Sequence, residues 1–399
     1  MIKSKKLLFV IDVMRSGGGA QKVLLILLKT LKKNGLQTKL IVLKKTQELV
    51  DLQGVDVEFI LQDENAKLTT NTFVILDSIT KSAQGFDVMV SFMDFITSYF
   101  VALSAGILKM PYYCFVRCKP SYAENNFPQP QINHNLYAFC LQNAQKVVCN
   151  SKSSYLDIEN NFQVAREKIY LLYNPIDTQQ ILQKASESLV EVYKDPGTIL
   201  CVSVGRLHPV KNYKTLLKAF LKLKDFNLAL WILGDGEQRE ELECFIRANT
   251  MQNVKILGYQ YNIYPYLKIA DIFIHSSLSE GFSNAVLEAA FLRKPLILSD
   301  IPVHRELFTK ESAEFFMPEN AGELASLLGR LASDSGERIR LSKGAERVIA
   351  SCQNESFEKM LGQIFAFEKP SDNGLCAESE EDIFVYTSSY FGISAVTKE

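Results

Sequence analysis

Short runs of apolar residues alternate along the chain with segments of helical spacing. The first run, residues 6–14, is rich in Val, Ile and Phe and is followed by a glycine-rich turn. Residues 20–33 then repeat their apolar positions with the period of an amphipathic helix. Further apolar runs of strand length lie at 40–43, 57–60, 88–91, 112–116 and 146–149. Strands that alternate with helices predict a parallel sheet covered by helices on both faces.

The same pattern begins again near residue 197. Residues 174–197 carry Pro175, Pro196 and several polar residues, which is typical of a connection between domains with one short helix. We therefore predict two α/β domains, residues 1–176 and 177–354, with a cleft between them. The apolar runs of the second domain are 198–204, 229–233, 254–257, 272–275 and 295–299.

Two further segments follow the second domain. A helix within residues 355–369 is expected to cross back to the first domain. Residues 370–399 form an acidic tail that carries few positive charges. This composition predicts a mostly flexible segment, in which residues 383–386 are the candidate for a short docked element.

Length and composition exclude several classes of protein. A chain of 399 residues with 47% hydrophobic residues is neither disordered nor fibrous. The eight cysteines form no C-x-x-C pair, and we expect reduced thiols in or near the cores. No signal-peptide cleavage pattern follows the basic start, and the apolar stretch 99–108 is about half of the ~20 residues that a membrane-spanning helix requires. We expect a cytoplasmic protein.

The net charge of -1 hides an excess of lysine in the first sixty residues. A solvated surface explains such an excess, and the alternative is a patch that rests on an anionic membrane or binds phosphate. Nucleic acid is not expected as a partner, because no aromatic residues interleave with these lysines.

A glycine-rich loop, Ser16 to Ala20, lies between the first predicted strand and helix. Gly18 and Gly19 would let the backbone and the helix N–H groups approach an anion. The third glycine of a dinucleotide motif is replaced by Lys22, and no acid follows at the expected distance, which argues against NAD. NADP, with Lys44 or Lys45 on its extra phosphate, is the remaining dinucleotide alternative. The alternative is a turn that only lets the helix pack on the strand.

Two cations follow the first strand of the second domain. Arg206 comes directly after Gly205, and Lys211 lies five residues further on. Ligands bind at this edge of an open α/β sheet. An arginine and a lysine together can neutralise a diphosphate without a metal, although two surface cations on a loop would look the same.

Two carboxylates occur in EGFSNAVLEAA. Glu280 is expected in a loop and Glu288 about two turns into a helix that begins at Ser283 or Asn284. The N–H groups of Phe282, Ser283 and Asn284 would then face the cleft, where they suit phosphate. The two carboxylates could accept hydrogen bonds from different hydroxyls of one ligand.

Together these segments resemble the retaining glycosyltransferase family 4. The donor-site motifs of that family are similar to GRL at 205–207, KN at 211–212 and the E-x7-E spacing of Glu280 and Glu288. GGGAQKV resembles the family's GGAERV loop, LYNPID at 172–177 its hinge, and GDG at 234–236 a loop of its donor domain. The resemblance implies the α/β fold called GT-B, with two Rossmann-like domains whose parallel sheets face a central cleft.

The resemblance also implies the roles of individual residues. Glu280, Arg206 and Lys211 would be catalytic, with the two cations on the donor diphosphate and Glu280 on the sugar hydroxyls. Glu288 would bind the ribose, and Tyr259 would stack on or pair with a uracil base. The loops around sugar and phosphate would be supplied by Gly18, Gly19, Gly205, Phe282, Ser283 and Asn284. Arg117 stands where many relatives have a histidine, and we expect it to bind the acceptor or the sugar.

The implied function is transfer of a sugar, with retention, from a nucleotide-sugar to a glycan or lipid-linked acceptor in the synthesis of bacterial surface polysaccharide or glycolipid. UDP-sugars are the preferred donors. We expect no cofactor and no metal, because the chain has no D-x-D motif and its four histidines show no ligand spacing. His208 and His304 are expected in loops, His275 at the end of a strand, and His134 in a polar stretch. The alternatives are an epimerase or phosphorylase-like enzyme on the same architecture, or an inactive scaffold that binds sugar nucleotides.

Overall fold

The computed structural model describes residues 5–47, 49–188, 194–224, 226–351 and 355–366. The predicted acidic tail 370–399, with its segment 383–386, lies outside the described residues, as do Cys352 and Cys376. Among the described residues, no helix combines the length and apolar character needed to cross a bilayer.

The first domain is built on a sheet of seven parallel strands. These strands are β1 Lys6–Ile11, β2 Gln37–Lys44, β3 Val57–Leu61, β4 Val88–Ser91, β5 Tyr112–Val116, β6 Lys146–Cys149 and β7 Ile169–Leu171. Their order in the sheet is β3-β2-β1-β4-β5-β6-β7. In β1 every residue from Leu7 to Ile11 is buried, since helices cover both faces of the sheet.

Six helices of the first domain form two layers on this sheet. They are α1 Gly19–Lys33, α2 Thr72–Ser82, α3 Ile96–Leu108, α4 Pro120–Ala123, α5 Pro130–Asn143 and α6 Lys152–Asn161. α1 packs Leu24, Leu27 and Leu31 into the core on one face. The core on the other face takes residues from α2, α3, α5 and α6, among them Ile79 and Tyr137.

The second domain repeats this architecture with six parallel strands. The strands are β8 Ile199–Val204, β9 Leu228–Leu233, β10 Val254–Gly258, β11 Ile272–His275, β12 Leu296–Ser299 and β13 Glu314–Phe316, in the order β10-β9-β8-β11-β12-β13. The helices are α7 Thr178–Ala185, α8 Tyr213–Leu221, α9 Arg239–Ala248, α10 Tyr264–Ile269, α11 Asn284–Phe291, α12 Pro302–Leu307, α13 Ala321–Ser333 and α14 Ser335–Ser351. The predicted pair of Rossmann-like domains is confirmed.

A last helix, α15 Glu355–Phe365, packs on the first domain although it follows the second in sequence. Phe357, Leu361, Ile364 and Phe365 lie in the core of the first domain that also contains Phe9. The Phe365 ring lies 6.1 Å from the Phe9 ring. The chain therefore passes between the domains twice, once before α7 and once before α15.

The structure corrects several local predictions. The strands β7 and β13 were not predicted; each has three residues and lies at an edge of its sheet. His304, expected in a loop, lies in α12 and is buried. Cys244, expected in or near a core, is exposed on α9, whereas Cys114, Cys140, Cys149 and Cys201 are buried as predicted.

Candidate active site

The candidate site lies where the strand order reverses in each sheet. Sequence order runs outward in both directions from the pairs β1/β4 and β8/β11, and crevices at such points bind ligands in open α/β sheets. The glycine loop follows β1, the loop of Arg206 and Lys211 follows β8, and the loop of Glu280 follows β11.

Glu280 is the centre of a converging set of donors. Lys211 Nζ forms an ion pair with Glu280 Oε1, and Ser277 Oγ donates to the same oxygen at 2.6 Å. His275 Nε2 lies 3.4 Å from it. Burial would raise the pKa of Glu280, but the charge and hydrogen bond of Lys211, with His275 and Ser277, lower it to about 2. The carboxylate is therefore ionised at neutral pH.

The two predicted diphosphate ligands differ in their surroundings. Lys211 is held by Glu280, and its backbone oxygen accepts from Ser276 Oγ at 2.8 Å. Arg206 is exposed at the rim of the same loop. Gly205, just before Arg206, packs so closely on Gly234 that a Cβ on Gly234 would lie 1.9 Å from Gly205 O. This contact fixes the backbone at the end of β8.

Glu288 lies on α11 and is 5% exposed. Its Oε1 accepts from Tyr264 Oη at 3.0 Å and lies 3.4 Å from Lys22 Nζ. Lys22 belongs to the first domain, so this carboxylate connects the two domains. The Glu288 carboxylate is therefore buried between the domains and is not a solvated surface charge.

The glycine loop of the first domain contacts the second domain directly. A Cβ on Gly17 would lie 2.3 Å from Tyr259 Cε2, so the Tyr259 ring packs on the bare backbone there. Gly18 precedes α1 as its N-cap, and Gly19 O accepts from Asn284 Nδ2 at 3.0 Å. Both predicted glycines therefore lie at the cleft.

Gln21 replaces the acid of the family's glycine loop, and the structure gives a physical reason. Its side chain is 8% exposed and its Nε2 donates to Val13 O at 3.0 Å. An amide can donate a hydrogen bond to a carbonyl, which an ionised carboxylate cannot do. The glutamine thus holds the loop to the end of β1.

Arg117 lies at the end of β5 and faces the connection between the domains. Its Nη2 donates to Asn174 Oδ1 at 2.9 Å, and its guanidinium lies over the Phe92 ring at 5.0 Å. Its backbone N–H donates to the half-buried Asp94. Burial raises the pKa of Asp94 and lowers that of Arg117 to about 10, so Arg117 remains charged at neutral pH.

A chain of amide hydrogen bonds continues from Arg117 across the cleft. Asn174 Nδ2 donates to Asn284 Oδ1 at 2.6 Å, and Asn284 donates in turn to Gly19 O. Gly281 packs against the first domain at the same place, because a Cβ there would lie 2.2 Å from Arg117 O. The end of β5, the connection and the starts of α11 and α1 are therefore held together.

The remaining predicted residues support the loop before α11. Phe282 is 8% exposed, and its ring lies 5.4 Å from that of Tyr173. Ser283 directly precedes α11, and its Oγ lies 3.0 Å from His275 Nε2. The helix start predicted at Ser283 or Asn284 is confirmed.

Sequence reasoning did not find five residues that belong to the site. Lys22 and Asn174 lie in the segments that resemble the family's glycine loop and hinge, so the sequence indicates that they lie near the cleft. It does not indicate which residues they contact. The sequence marks His275 only as the end of a strand, and neither Asp94 nor Tyr264 lies in one of the motifs described above. Within the described residues, no group of three or more His, Cys, Asp or Glu side chains is placed to hold a metal ion.

Two Rossmann-like domains whose switch-point loops face a shared cleft form the architecture called GT-B. A family model described as Glycosyltransferase Family 4 matches residues 17–180, and one described as Glycosyl transferases group 1 matches residues 186–348. Together the two matches take in most of the chain. It therefore belongs to the glycosyltransferases built from these two modules, as the sequence motifs predicted.

Similar proteins agree with this assignment. Over 180 residues, 45% of this chain and 47% of the relative, the chain is 34% identical to an N-acetylgalactosamine-N,N'-diacetylbacillosaminyl-diphospho-undecaprenol 4-alpha-N-acetylgalactosaminyltransferase of Campylobacter jejuni. Over 211 residues it is 26% identical to a UDP-Gal:alpha-D-GlcNAc-diphosphoundecaprenol alpha-1,3-galactosyltransferase of Escherichia coli, covering 50% of this chain and 51% of that one. The chain spans about half the length of the curated relatives it matches.

The fold also matches solved structures over nearly the whole chain. The structure of Anabaena Alr3699/HepE in complex with UDP and glucose superposes with a TM-score of 0.76 at 16% identity, covering 91% of this chain and 99% of that one. At this identity the likeness shows the shared fold.

Replacing Gly281 by alanine is expected to separate the domains, because the new Cβ would lie 2.2 Å from Arg117 O. A displacement of about 1 Å at a reacting centre can lower a rate about 10²-fold, so we expect glycosyl transfer to fall on that scale. Gly106→Ala is the control, since it lies in α3 with open space around it and should leave activity unchanged. Full activity of Gly281→Ala would contradict the close contact.

Proposed function

We propose that the protein transfers a sugar from a UDP-sugar to a glycan or lipid-linked acceptor, with retention of anomeric configuration, in the synthesis of a bacterial surface glycan. The observation that supports this most directly is the arrangement of Glu280 on Lys211, with Glu288 and Tyr259 along the same cleft. The named relatives use a UDP-sugar or a diphospho-undecaprenol acceptor, and the HepE structure contains UDP. None of these relatives is an epimerase.

The nucleotide would lie between Glu288 and the glycine loop. Tyr264 and Lys22 both contact Oε1 of Glu288. Because a carboxylate can accept several hydrogen bonds, ribose hydroxyls can donate to Glu288 in addition to these two groups. Tyr259, 38% exposed and packed on Gly17 of the glycine loop, offers a ring for a uracil base. The helix α11 begins beside the proposed diphosphate position, where its N–H groups favour negative charge.

The chemistry would take place beside Glu280. The bond between the anomeric carbon and the diphosphate oxygen breaks, and the acceptor oxygen bonds to the same carbon from the same face. The acceptor proton passes to the departing phosphate oxygen, which gives UDP and the new glycoside. Lys211 and Arg206 would stabilise the charge that develops on the phosphate, and Glu280 would hold the sugar hydroxyls.

Replacing Glu280 by alanine should lower the turnover of donor about 10²-fold or more while UDP affinity stays unchanged, because its proposed contacts are with the sugar. Glu288→Ala should instead weaken UDP binding about tenfold or more, as loss of a charge-assisted hydrogen bond would. Donor hydrolysis across UDP- and GDP-sugars, with calorimetric titration of UDP, measures both effects. Glu240→Ala, an exposed carboxylate on α9, is the control. Equal loss of UDP affinity in both variants would contradict the division of roles.

Transfer is further proposed to need no divalent metal, because fixed cations lie on the side of the cleft where the diphosphate would bind. Activity should therefore survive EDTA, whereas Arg206→Ala and Lys211→Ala should each lower turnover about 10²-fold. The measurement is the rate of donor hydrolysis before and after chelation. Abolition by EDTA with recovery on added Mn²⁺ would contradict this account and direct attention to acids such as Asp235 and Glu237.

We also propose that the first domain rests on an anionic membrane surface while a lipid-linked acceptor enters the cleft. Lys29, Lys32 and Lys33 are exposed on α1, and each lysine near an anionic surface contributes about 1 kcal/mol. Exposed apolar side chains also occur on the uncharged helices α3 and α5, on the opposite face of the sheet: Leu103, Ile107, Ile132, Leu136 and Phe139.

Sedimentation with vesicles of anionic phospholipid tests which of these surfaces acts. Wild-type protein should bind at low salt and be released at high salt, and replacement of Lys29, Lys32 and Lys33 by glutamate should abolish binding. The same change at Lys218, Lys222 and Lys224, exposed in the second domain, is the matched control. Binding that resists salt and survives the α1 changes would contradict the role of the lysines and favour the apolar helices. No binding at low salt would contradict membrane association.

A further inference from the structure

His275 is a buried residue that the proposed reaction does not use. It is the last residue of β11, is 2% exposed, and lies beneath the loop that carries Glu280. We propose that His275 is a positioning residue, whose Nε2–H holds Glu280 and Ser283 in the geometry that sugar transfer requires. This inference rests on the proposed function of Glu280.

The contacts of His275 reach both ends of the loop 280–283. Nε2 lies 3.0 Å from Ser283 Oγ and 3.4 Å from Glu280 Oε1. The longer contact with Glu280 is an electrostatic one, since a hydrogen bond to nitrogen is typically shorter. One ring nitrogen is therefore shared between the proposed sugar-binding carboxylate and the residue that begins the helix of Glu288.

The position of the proton on His275 follows from its surroundings. Burial lowers the pKa of His275 well below its usual value, so the ring is neutral and carries one N–H. Among the described residues, Nδ1 is buried without a hydrogen-bond partner. A buried N–H group without an acceptor is rare, whereas Ser283 Oγ and the Glu280 carboxylate can both accept from Nε2. The proton therefore belongs on Nε2.

A second buried histidine packs on the first and leaves this assignment intact. The His304 ring lies 5.1 Å from that of His275 at 81°. His304 Nδ1 lies 2.7 Å from Ser299 O, and a carbonyl only accepts, so its proton is on Nδ1. Its Nε2, also without a partner in the described part of the chain, has no proton to give to His275.

The remaining supports of Glu280 come from other directions. Lys211 approaches from the loop after β8, and Ser277 Oγ from within the loop after β11. The backbone of that loop is also fastened, since Leu278 N donates to Val210 O at 2.8 Å and Ser299 Oγ donates to Ser277 O at 2.6 Å. His275 alone among these groups also contacts Ser283. Its loss should therefore disturb the orientation of Glu280 relative to α11.

The test compares three substitutions of His275 that differ in where they place a donor. The side-chain amide nitrogen of glutamine reaches about as far as Nε2, that of asparagine only about as far as Nδ1, and leucine offers no donor. We expect His275→Leu and His275→Asn to lower kcat about 10- to 100-fold. His275→Gln should restore most of the loss. In all three, kcat should fall by a larger factor than KM for the donor or the Kd for UDP rises, because Glu288 and Tyr259 are not in contact with this ring.

A control and a structural measurement separate positioning from folding. Leu298→Val alters the buried residue opposite His275 on β12 without removing a polar contact, and its kcat should match that of wild type. Crystal structures of His275→Leu and His275→Gln should show the loop 280–283 displaced in the first and retained in the second. This readout does not depend on which sugar is transferred.

The outcomes are distinct. Wild-type kcat in His275→Leu, an equal loss in His275→Gln and His275→Leu, or an unmoved loop in the His275→Leu structure would overturn the proposal. A wild-type protein that turns over no nucleotide-sugar would instead contradict the proposed function, and the two crystal structures would still decide whether His275 positions the loop.

Discussion

The ion pair between Lys211 and Glu280 is the interaction on which the candidate site depends. It joins the loops that follow β8 and β11, the two strands at the switch point of the second sheet. Burial alone would favour a protonated Glu280, and Lys211 reverses this, so the site holds a desolvated charge that is already compensated. The serine and histidine donors around Glu280 then fix where that charge lies, which a single flexible lysine could not do.

The second constraint is the close approach of the two domains. Three contacts at the cleft depend on the small size of glycine: Gly17 against Tyr259, Gly19 against Asn284, and Gly281 against Arg117 O. Around them, Asn174 in the segment between the domains hydrogen-bonds to Asn284 at the start of α11. Lys22, just after the glycine loop, pairs with Glu288 on the same helix. The Glu288 carboxylate, proposed to bind the donor, is therefore placed by residues of both domains, and its geometry depends on how far the cleft is closed.

The sequence predicts those features that are encoded locally. Buried parallel strands are continuous apolar runs, so eleven of the thirteen described strands and both sheets were predictable. The spacing of Glu280 and Glu288 likewise placed one in a loop and the other in α11. β7 and β13 were not predictable, because a strand of three residues at the edge of a sheet leaves no distinct apolar pattern in the sequence. The partners of Lys22 and Asn174 lie 266 and 110 residues away, so only the packing of the two domains determines these contacts. The role of His275 is likewise set by the loop that folds over it.

The charged residues of the candidate site are placed in a way that suits the proposed transfer from a diphosphate. Lys211 and Lys22 each lie beside a carboxylate, whereas Arg206 is exposed at the rim and Arg117 is oriented by an uncharged amide. A donor that arrives with two phosphates can therefore meet exposed Arg206 first, without breaking an ion pair. Lys211 can then interact with the leaving phosphate while it remains within reach of Glu280. Lys211 and Glu280 are already paired and largely shielded from solvent before the donor binds. Little reorganisation around them is therefore needed as the glycosidic bond breaks in the proposed reaction, which is the condition under which fixed charges stabilise a transition state most.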